Sequence, residues 1–205
     1  MTQNQRYGSQ NKTNQLVKLS VFVALIIIQS WVPMLGNIPT PVLSITYIHV
    51  TVILATLWLG WKEGVLVGTA WGLNSWIRAL TVPMSPIHAQ VLSDVMVSVL
   101  PRMLMPLILA GLIVVFKSWS KNPRLVGALA GFSGSFLNTF LVLGAMVLFK
   151  QEAYMTINGV DQTGLWRLLG GIIATNGILE AFVAAILTPI FYQVTLQLAK
   201  RQGKH

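Results

Sequence analysis

The residues of this chain that could take part in chemistry are few. Only five carboxylates occur among its 205 residues, and cysteine is absent. The five acids are not spaced as an acid–base pair or as a set of metal ligands. The chain also lacks the phosphate-binding pattern G-x-x-x-x-G-K-[ST]. The sequence therefore predicts no catalytic residue, no metal site and no nucleotide-binding loop.

One short pattern could belong to an enzyme. The sequence GFSG at residues 131–134 resembles the nucleophile motif of rhomboid intramembrane proteases. Such a serine needs a histidine base on a later helix, and the only histidine after Ser133 is His205, in the tail. A small-residue packing site that includes Gly127 is the alternative interpretation. An intramembrane enzyme therefore stays open only as a rival function.

The remaining candidates are polar or aromatic side chains within apolar segments, where such residues are functional hypotheses by default. Arg102 directly follows Pro101 at the predicted start of a helix. Free N–H groups at a helix N-terminus and a forked guanidinium can together hold a carboxylate. We expect this to be an anion site. The predicted substrate-binding residues are His49, Asn74, Trp76, Arg78, Arg102, Asn138, Asn176 and Glu180.

Most of these residues also have a purely structural interpretation. Arg78 and Arg102 can extend to the outer lipid headgroups, and Asn138 can form a hydrogen bond between helices. Glu180 can pair with an arginine or be protonated, and His49 can lie at the interface or cap a helix. For Trp76 the alternative is an aromatic belt near the span ends, together with Trp58, Trp61, Trp119 and Trp166.

The elements that must position these residues are membrane helices. The chain is 54% hydrophobic and 9% charged, whereas soluble domains are about 25% charged. A membrane-spanning helix needs about 20 mostly apolar residues. Loops rich in proline, glycine or charge separate six such stretches: 16–32, 47–59, 65–80, 101–119, 125–149 and one within 165–198. We therefore expect an all-α integral membrane protein with six transmembrane helices.

The basic residues predict the orientation of these spans. With six spans, ten of the fourteen lysines and arginines share a side with both termini: Arg6, Lys12, Lys18, Lys62, Lys117, Lys121, Arg124, Lys200, Arg201 and Lys204. The positive-inside rule makes that side cytoplasmic. The net charge of +9 then reflects topology and a weak attraction to anionic lipid, and we expect no nucleic-acid binding.

This topology divides the chain into three parts. We expect a polar cytoplasmic N-terminus at residues 1–15, a six-helix membrane domain at 16–198 and a basic cytoplasmic tail at 199–205. The outer loops, at 33–46, 81–100 and 150–164, are long for so small a chain. Long loops on one side are where binding is expected.

A row of glycines marks the third predicted span. Gly60, Gly64, Gly68 and Gly72 occur at every fourth position, so they share one ridge of a helix. Such a bare ridge lets another helix backbone come close. Internal packing against a neighbouring span and a face for a partner protein are both open, and the two are compatible.

Several motifs together resemble a known family. They are Pro39 and Pro41 in a proline-rich loop, His49 entering the second span, Gly60 and Gly64 at the turn into the third, Pro101 with Arg102 opening the fourth, and TNGILEAFVAAIL in the sixth. Their order and the six-span layout resemble the substrate-binding S component of energy-coupling-factor (ECF) vitamin transporters. The resemblance covers most of residues 16–198 and is greatest for the pantothenate branch.

The resemblance implies a function and partners. An S component of a bacterial cytoplasmic membrane binds a vitamin from outside, joins a transmembrane T component and two ATPase subunits, and topples to release the vitamin inside. The chain itself would then be no enzyme and need no cofactor, because its partners use the ATP. Pyridoxine, hydroxymethylpyrimidine and riboflavin are alternative ligands, and a stand-alone carrier is an alternative mechanism.

One departure from the family pattern concerns the partner interface. The first span of the family often carries an Ala-x-x-x-Ala coupling motif, whereas here Ser20 and Ala24 are followed by Ile28. The predicted partner-interface residues are therefore Ser20 and Ala24 together with Gly64, Gly68 and Gly72.

Overall fold

The computed structural model describes residues 3–32, 34–38 and 45–202. Nine α-helices fill the described part of the chain: α1 Gln3–Trp31, α2 Ile48–Trp58, α3 Trp61–Thr81, α4 Pro86–Gln90, α5 Val95–Ser98, α6 Leu100–Trp119, α7 Pro123–Asn158, α8 Gln162–Ile172 and α9 Ile178–Gln202. A π-helical segment, Ile173–Gly177, joins α8 to α9. The predicted helical fold is confirmed; the one addition is a short antiparallel hairpin of β1 Asn37–Ile38 and β2 Ile45–Thr46.

Among the described residues, four stretches of helix are long and apolar enough to cross a membrane. They are Thr13–Trp31, Val95–Trp119, Pro123–Asn158 and Gln162–Ala199. Helix α2 is apolar but has only 11 residues, and α3, with 21 residues, is more polar. The chain is thus a multi-pass membrane protein, while the count of six spans and the position of the termini stay predictions.

Helix α2 lies at the centre of the bundle. Ten of its 11 residues are buried, and it packs against α1, α3, α6, α7 and α9. At 1.5 Å per residue it is about 16 Å long, which is about half of the hydrocarbon thickness of a bilayer. Its first turn, which holds His49, therefore lies within the bundle rather than at a loop.

The two ends of the bundle differ in character. We call the end that carries β1, β2, α4 and α5 the hairpin end. We call the opposite end, where α6 stops and α7 begins, the basic end, because Lys117, Lys121 and Arg124 lie there. Helices α3 and α7 run from the basic end to the hairpin end, and α2, α6 and α9 run the other way.

The glycine row of α3 packs inside the molecule. A Cβ at Gly64 would meet Thr56 of α2, one at Gly68 would overlap the carbonyl oxygen of Arg102, and one at Gly72 would lie 2.7 Å from the Cα of Val99. Other helices therefore already occupy the space in front of all three glycines. The structure therefore supports internal packing and not a partner face, because these buried glycines leave no surface for a second protein.

Helices α7 and α9 also pack closely through glycines. A Cβ at Gly127 would lie 2.9 Å from the Cα of Pro189, and one at Gly131 would overlap the carbonyl oxygen of Ala184. The sequence GFSG is accordingly part of a tight helix contact. This supports the packing interpretation of the motif over the protease interpretation.

Two of the predicted loops are largely helical. Helix α7 continues past residue 149 to Asn158 after a kink at Lys150, which has φ −140° and ψ 26°. The predicted Asn-Gly turn follows directly, with Gly159 left-handed at φ +62°. The region 81–100 contains α4 and α5. An ion pair of 3.2 Å between Lys150 and Asp94 joins these two regions.

The remaining predictions fall at the chain ends and in the first loop. Residues 3–15, predicted as a polar N-terminus, belong to α1. Pro39 and Pro41, which carry part of the family resemblance, lie outside the described residues, as does Lys204. The domain division and the role of that loop stay predictions.

Candidate ligand-binding site

His49 and Asn138 lie at the same level of the bundle. Helices α2 and α7 are antiparallel, and they touch where a Cβ at Gly134 would lie 2.7 Å from the Cδ1 of Ile53. His49 is four residues from Ile53 and Asn138 is four residues from Gly134, in each case towards the hairpin end. One helical turn above the contact, these two side chains therefore occupy facing positions.

Arg102 and Glu180 approach the same level from the other helices. Gly134 also faces Leu109 of α6, and Arg102 lies two turns from Leu109 towards the hairpin end. In the same way, the contact of Gly131 with Ala184 places Glu180 beside Ser135, one turn higher. Four helices thus contribute polar side chains to a zone about two turns deep.

Polar atoms in this zone are buried without hydrogen-bond partners among the described residues. They are both ring nitrogens of His49, Nε of Arg102, Oγ of Ser135 and Oδ1 of Asn138, with Nδ2 of Asn74 and Oγ1 of Thr188 nearby in the bundle. Each such atom costs about 1–3 kcal/mol if it stays unpaired. Native proteins have few of them and they call for an explanation. A polar ligand within the bundle would supply the missing partners.

The guanidinium of Arg102 is the strongest feature of the zone. Arg102 is 8% exposed, its Nη1 donates to the carbonyl of Val97 at 2.8 Å, and its Cζ lies 5.2 Å from the centroid of the Trp71 ring. No carboxylate among the described residues pairs with it. A buried cation without an anion is unfavourable, so the site suits a negatively charged group.

The start of α6, which is the second half of the predicted anion site, is partly covered by α5. The sequence predicted free N–H groups where α6 begins at Pro101. Helix α5 instead runs almost directly into α6, and the amides of Val99 and Met103 donate to the carbonyls of Val95 and Val99. A contribution of helix N–H groups to anion binding therefore stays a prediction, and the guanidinium is the better supported part of the site.

Two predicted residues, Trp76 and Arg78, contact the segments next to the site that carry α1 and α4–α5. Trp76 donates through Nε1 to the carbonyl of Ser93 at 2.8 Å. Arg78 is half-buried, its guanidinium lies 5.8 Å from the Trp31 ring centroid, and it donates to the sulfur of Met84. These contacts fix the segment with α4 and α5 against α3. A direct role in ligand binding stays a prediction for both.

Asn74 contacts the end of α1 through one side-chain atom and has a second atom without a partner. It is buried, and its Oδ1 accepts a hydrogen bond of 2.8 Å from Trp31 Nε1 at the end of α1. Its Nδ2 has no partner among the described residues. Asn74 therefore keeps a free donor one turn along α3 from Trp71.

Two arginine charges act on His88 at the hairpin end. Burial lowers the pKa of His88 in α4, and the charges of Arg78 and Arg102 lower it further. The Nδ1 of His88 accepts from the backbone amide of Met84 at 3.4 Å. The side of the site next to α4 therefore carries the charges of both Arg78 and Arg102.

Glu180 connects α9 to the first loop. Its Oε1 accepts a hydrogen bond of 2.7 Å from the backbone amide of Thr46 in β2. The alternative pairing with an arginine is not found among the described residues. Glu180 therefore anchors the hairpin to α9.

Asn176 lies in the π segment between α8 and α9. π-helical turns interrupt the regular hydrogen-bond ladder and are frequent at functional sites. Asn176 is half-buried there, one turn before Glu180. Its role stays a prediction.

Sequence reasoning missed three members of the site. Trp71 lies in the middle of α3, whereas most membrane tryptophans lie at the membrane–water interfaces. This unusual position could have identified Trp71 as a candidate site residue. Ser135 and Thr188 are buried within apolar stretches, as Asn138 is. Small hydroxyl side chains gave a weaker signal because they often bond to their own helix.

Fold and site together define a class of protein: a multi-pass membrane protein with a buried polar site for a small molecule among its helices. Residues 14–192 match the family described as ECF transporter, substrate-specific component. This match covers most of the chain, and the chain belongs to that family. It is a substrate-binding component of a transporter and not an enzyme.

Two curated relatives extend the comparison. The chain is 31% identical over 192 residues to the pantothenic acid transporter PanT of Lactococcus lactis subsp. cremoris, covering 87% of this chain and 91% of the relative. It is 29% identical over 205 residues to the pantothenate transporter PanT of Leuconostoc mesenteroides subsp. mesenteroides, covering 95% and 98%. The family resemblance drawn from the sequence is confirmed.

Proposed function

We propose that this chain binds pantothenate and that Arg102 holds the carboxylate of the vitamin. The observation that carries the proposal is the buried guanidinium of Arg102, which has no carboxylate partner among the described residues. Charge-assisted hydrogen bonds from a forked guanidinium are among the strongest that a protein makes. The names of both relatives point to the same acid.

The rest of the polar zone matches the rest of the molecule. Pantothenate carries an amide and hydroxyl groups besides its carboxylate. Asn138, His49 and Ser135 offer unpaired donors and acceptors one or two turns below Arg102, and Glu180 offers a carboxylate oxygen to a hydroxyl. The acid would then point towards the hairpin end and the hydroxyls towards the centre of the bundle.

Neutral vitamins are the alternative ligands. Pyridoxine, hydroxymethylpyrimidine and riboflavin have hydrogen-bonding groups for Asn138 and His49, but none has a carboxylate for Arg102. Binding them would leave the guanidinium buried without an anion, at a cost of several kcal/mol. The unpaired arginine therefore favours the acid.

We further propose that a T component and two ATPase subunits complete the transporter and that the ATP is used there. The exposed face of α1 is the remaining predicted contact surface. Ser20 and Ala24 are exposed on it, with Val21 at 54% and Ile28 at 47%. Such a surface suits either lipid or another membrane helix.

Reconstitution separates this mechanism from a stand-alone carrier. Vesicles that contain the purified chain alone should bind radiolabelled pantothenate without accumulating it. Vesicles that also contain the T component and the ATPases should accumulate it when ATP is supplied. Accumulation by the chain alone would contradict the proposed mechanism. Chemical conversion of the labelled ligand would support the rival hypothesis of an intramembrane enzyme.

The proposed topology has six spans with both termini in the cytoplasm. The hairpin end then faces outwards, and Asn158, which is exposed, is accessible from outside. Because the chain has no cysteine, an N158C variant needs no background substitution. In intact cells N158C should react with an impermeant thiol reagent, whereas K121C at the basic end should be protected. Labelling of K121C but not of N158C would show that the orientation is the opposite of the proposed one.

A further inference from the structure

A groove runs along the outside of the α7–α9 contact at the basic end. Its volume is about 720 Å³, and a smaller pocket of about 270 Å³ continues it past the start of α7. The contact of Gly127 with Pro189 beside it lies two turns or more below Ser135, so the groove lies outside the zone of His49, Arg102 and Glu180. The lining residues include Arg124, Ala128, Pro189 and Gln193.

The groove changes character along its length. Leu125, Ala128, Pro189, Ile190 and Val194 form the part that extends towards the middle of the bundle. The part at the basic end has polar walls, formed by Arg124, Gln193 and Gln197, with Asn122 in the adjoining pocket. Between Pro189 and Gln197 the groove is about 12 Å long. An elongated molecule with one polar end and an apolar body fits this gradient.

The polar end is positively charged. No acidic residue lines either pocket, and Arg124 has no carboxylate partner among the described residues. Lys121 precedes it by three positions, and Lys200 and Arg201 follow Gln197 closely in the sequence. Basic pockets between helices on the cytoplasmic side of a membrane are suited to anionic lipid headgroups.

We propose that this groove binds one anionic phospholipid of the membrane leaflet at the basic end. The phosphate lies at Arg124, the amides of Gln193 and Gln197 bind the glycerol and headgroup oxygens, and an acyl chain follows the apolar floor past Ala128 and Pro189. The lipid thereby covers the outside of the contact between α7 and α9. Its binding depends neither on the identity of the vitamin nor on the orientation of the chain.

The test compares phosphatidylglycerol with phosphatidylcholine by native mass spectrometry of the purified protein in detergent. Wild type should retain one phosphatidylglycerol in preference to phosphatidylcholine. The R124Q variant should bind phosphatidylglycerol about fivefold more weakly, since one basic residue at an anionic surface contributes about 1 kcal/mol. The A128F variant should lose the bound lipid of either kind, because the ring fills the floor of the groove.

Two matched variants control for charge and bulk. Lys117 and Val114 are exposed on α6, away from the groove, so K117Q and V114F should retain the lipid preference of the wild type. Pantothenate binding should be unchanged in all four variants, which shows that they fold. Equal retention of the two lipids by wild type, or an equal loss in R124Q and K117Q, would overturn the proposal. It would also be overturned if A128F kept the lipid but no longer joined the other transporter subunits.

Discussion

Replacement of Arg102 by alanine should weaken pantothenate binding by about 10- to 150-fold, since a hydrogen bond to a charged group contributes about 1.5–3 kcal/mol. The guanidinium is held ready by the Val97 carbonyl and the Trp71 ring, so little ordering is needed when the ligand arrives. Isothermal titration of purified wild type and R102A measures the loss. This change should be the largest for any single polar residue of the site.

Variants at other positions make the test specific. R102K keeps the charge but loses the planar fork, so it should recover only part of the affinity. Arg167 is exposed on α8, and R167A removes a guanidinium from the hairpin end without touching the site, so its affinity should equal that of wild type. If R102A bound pantothenate as wild type does, Arg102 would have only a structural role.

The second large effect should follow from filling the bare ridge of α3. In G68L the new side chain would collide with the carbonyl of Arg102, which lies in the backbone of α6 and cannot turn away. Overpacking costs about 1–3 kcal/mol and occasionally more, and here it would also displace Arg102 from Trp71. We expect G68L to lower the thermal midpoint in detergent and to abolish pantothenate binding.

A glycine on an open surface is the control. Gly111 of α6 has nothing within 4 Å of the position that a Cβ would take, so G111L should fold and bind pantothenate normally. If G68L instead bound the vitamin as well as G111L does and failed only in uptake with the ATPase subunits, the ridge would act as a partner face. Such a result would contradict the internal packing described above.

The two features tested by these variants are one structural unit. Gly68 lets the backbone of α6 approach α3, and that approach brings the Arg102 guanidinium to the Trp71 ring. The sequence showed a bare ridge and an arginine after a proline, but it could not show that they meet. Spacing along one helix identifies the face that is bare and leaves open which neighbour covers it.

The helices were predictable because apolar runs in a membrane have few other options. The lipid interior requires every backbone group to be paired, which favours helix throughout. The regions 81–100 and 150–158 were less predictable, since their polar composition resembles that of loops. There α4, α5 and the end of α7 pack on one another, with the pair Lys150–Asp94 among their contacts, and such tertiary contacts stabilise helices that are too short to be stable alone.

The candidate site was predictable in part for a similar reason. Asn138, His49 and Glu180 are conspicuous because polar groups are rare in apolar spans. That signal does not separate side chains that face a ligand from those that hold a loop, as Glu180 does for Thr46. Only the antiparallel pairing of α2 with α7 and of α9 with α7 brings these residues to one level.

The central claim is that the site recognises a carboxylate through Arg102, and a comparison of pantothenate with its alcohol analogue tests it most directly. Dissociation constants of both compounds are measured by titration calorimetry for wild type and R102A. Wild type should prefer the acid by at least about tenfold, which corresponds to one charge-assisted hydrogen bond, and R102A should bind the two compounds almost equally. A wild type that binds the alcohol as tightly as the acid, or an equal loss of both in R102A, would contradict the claim.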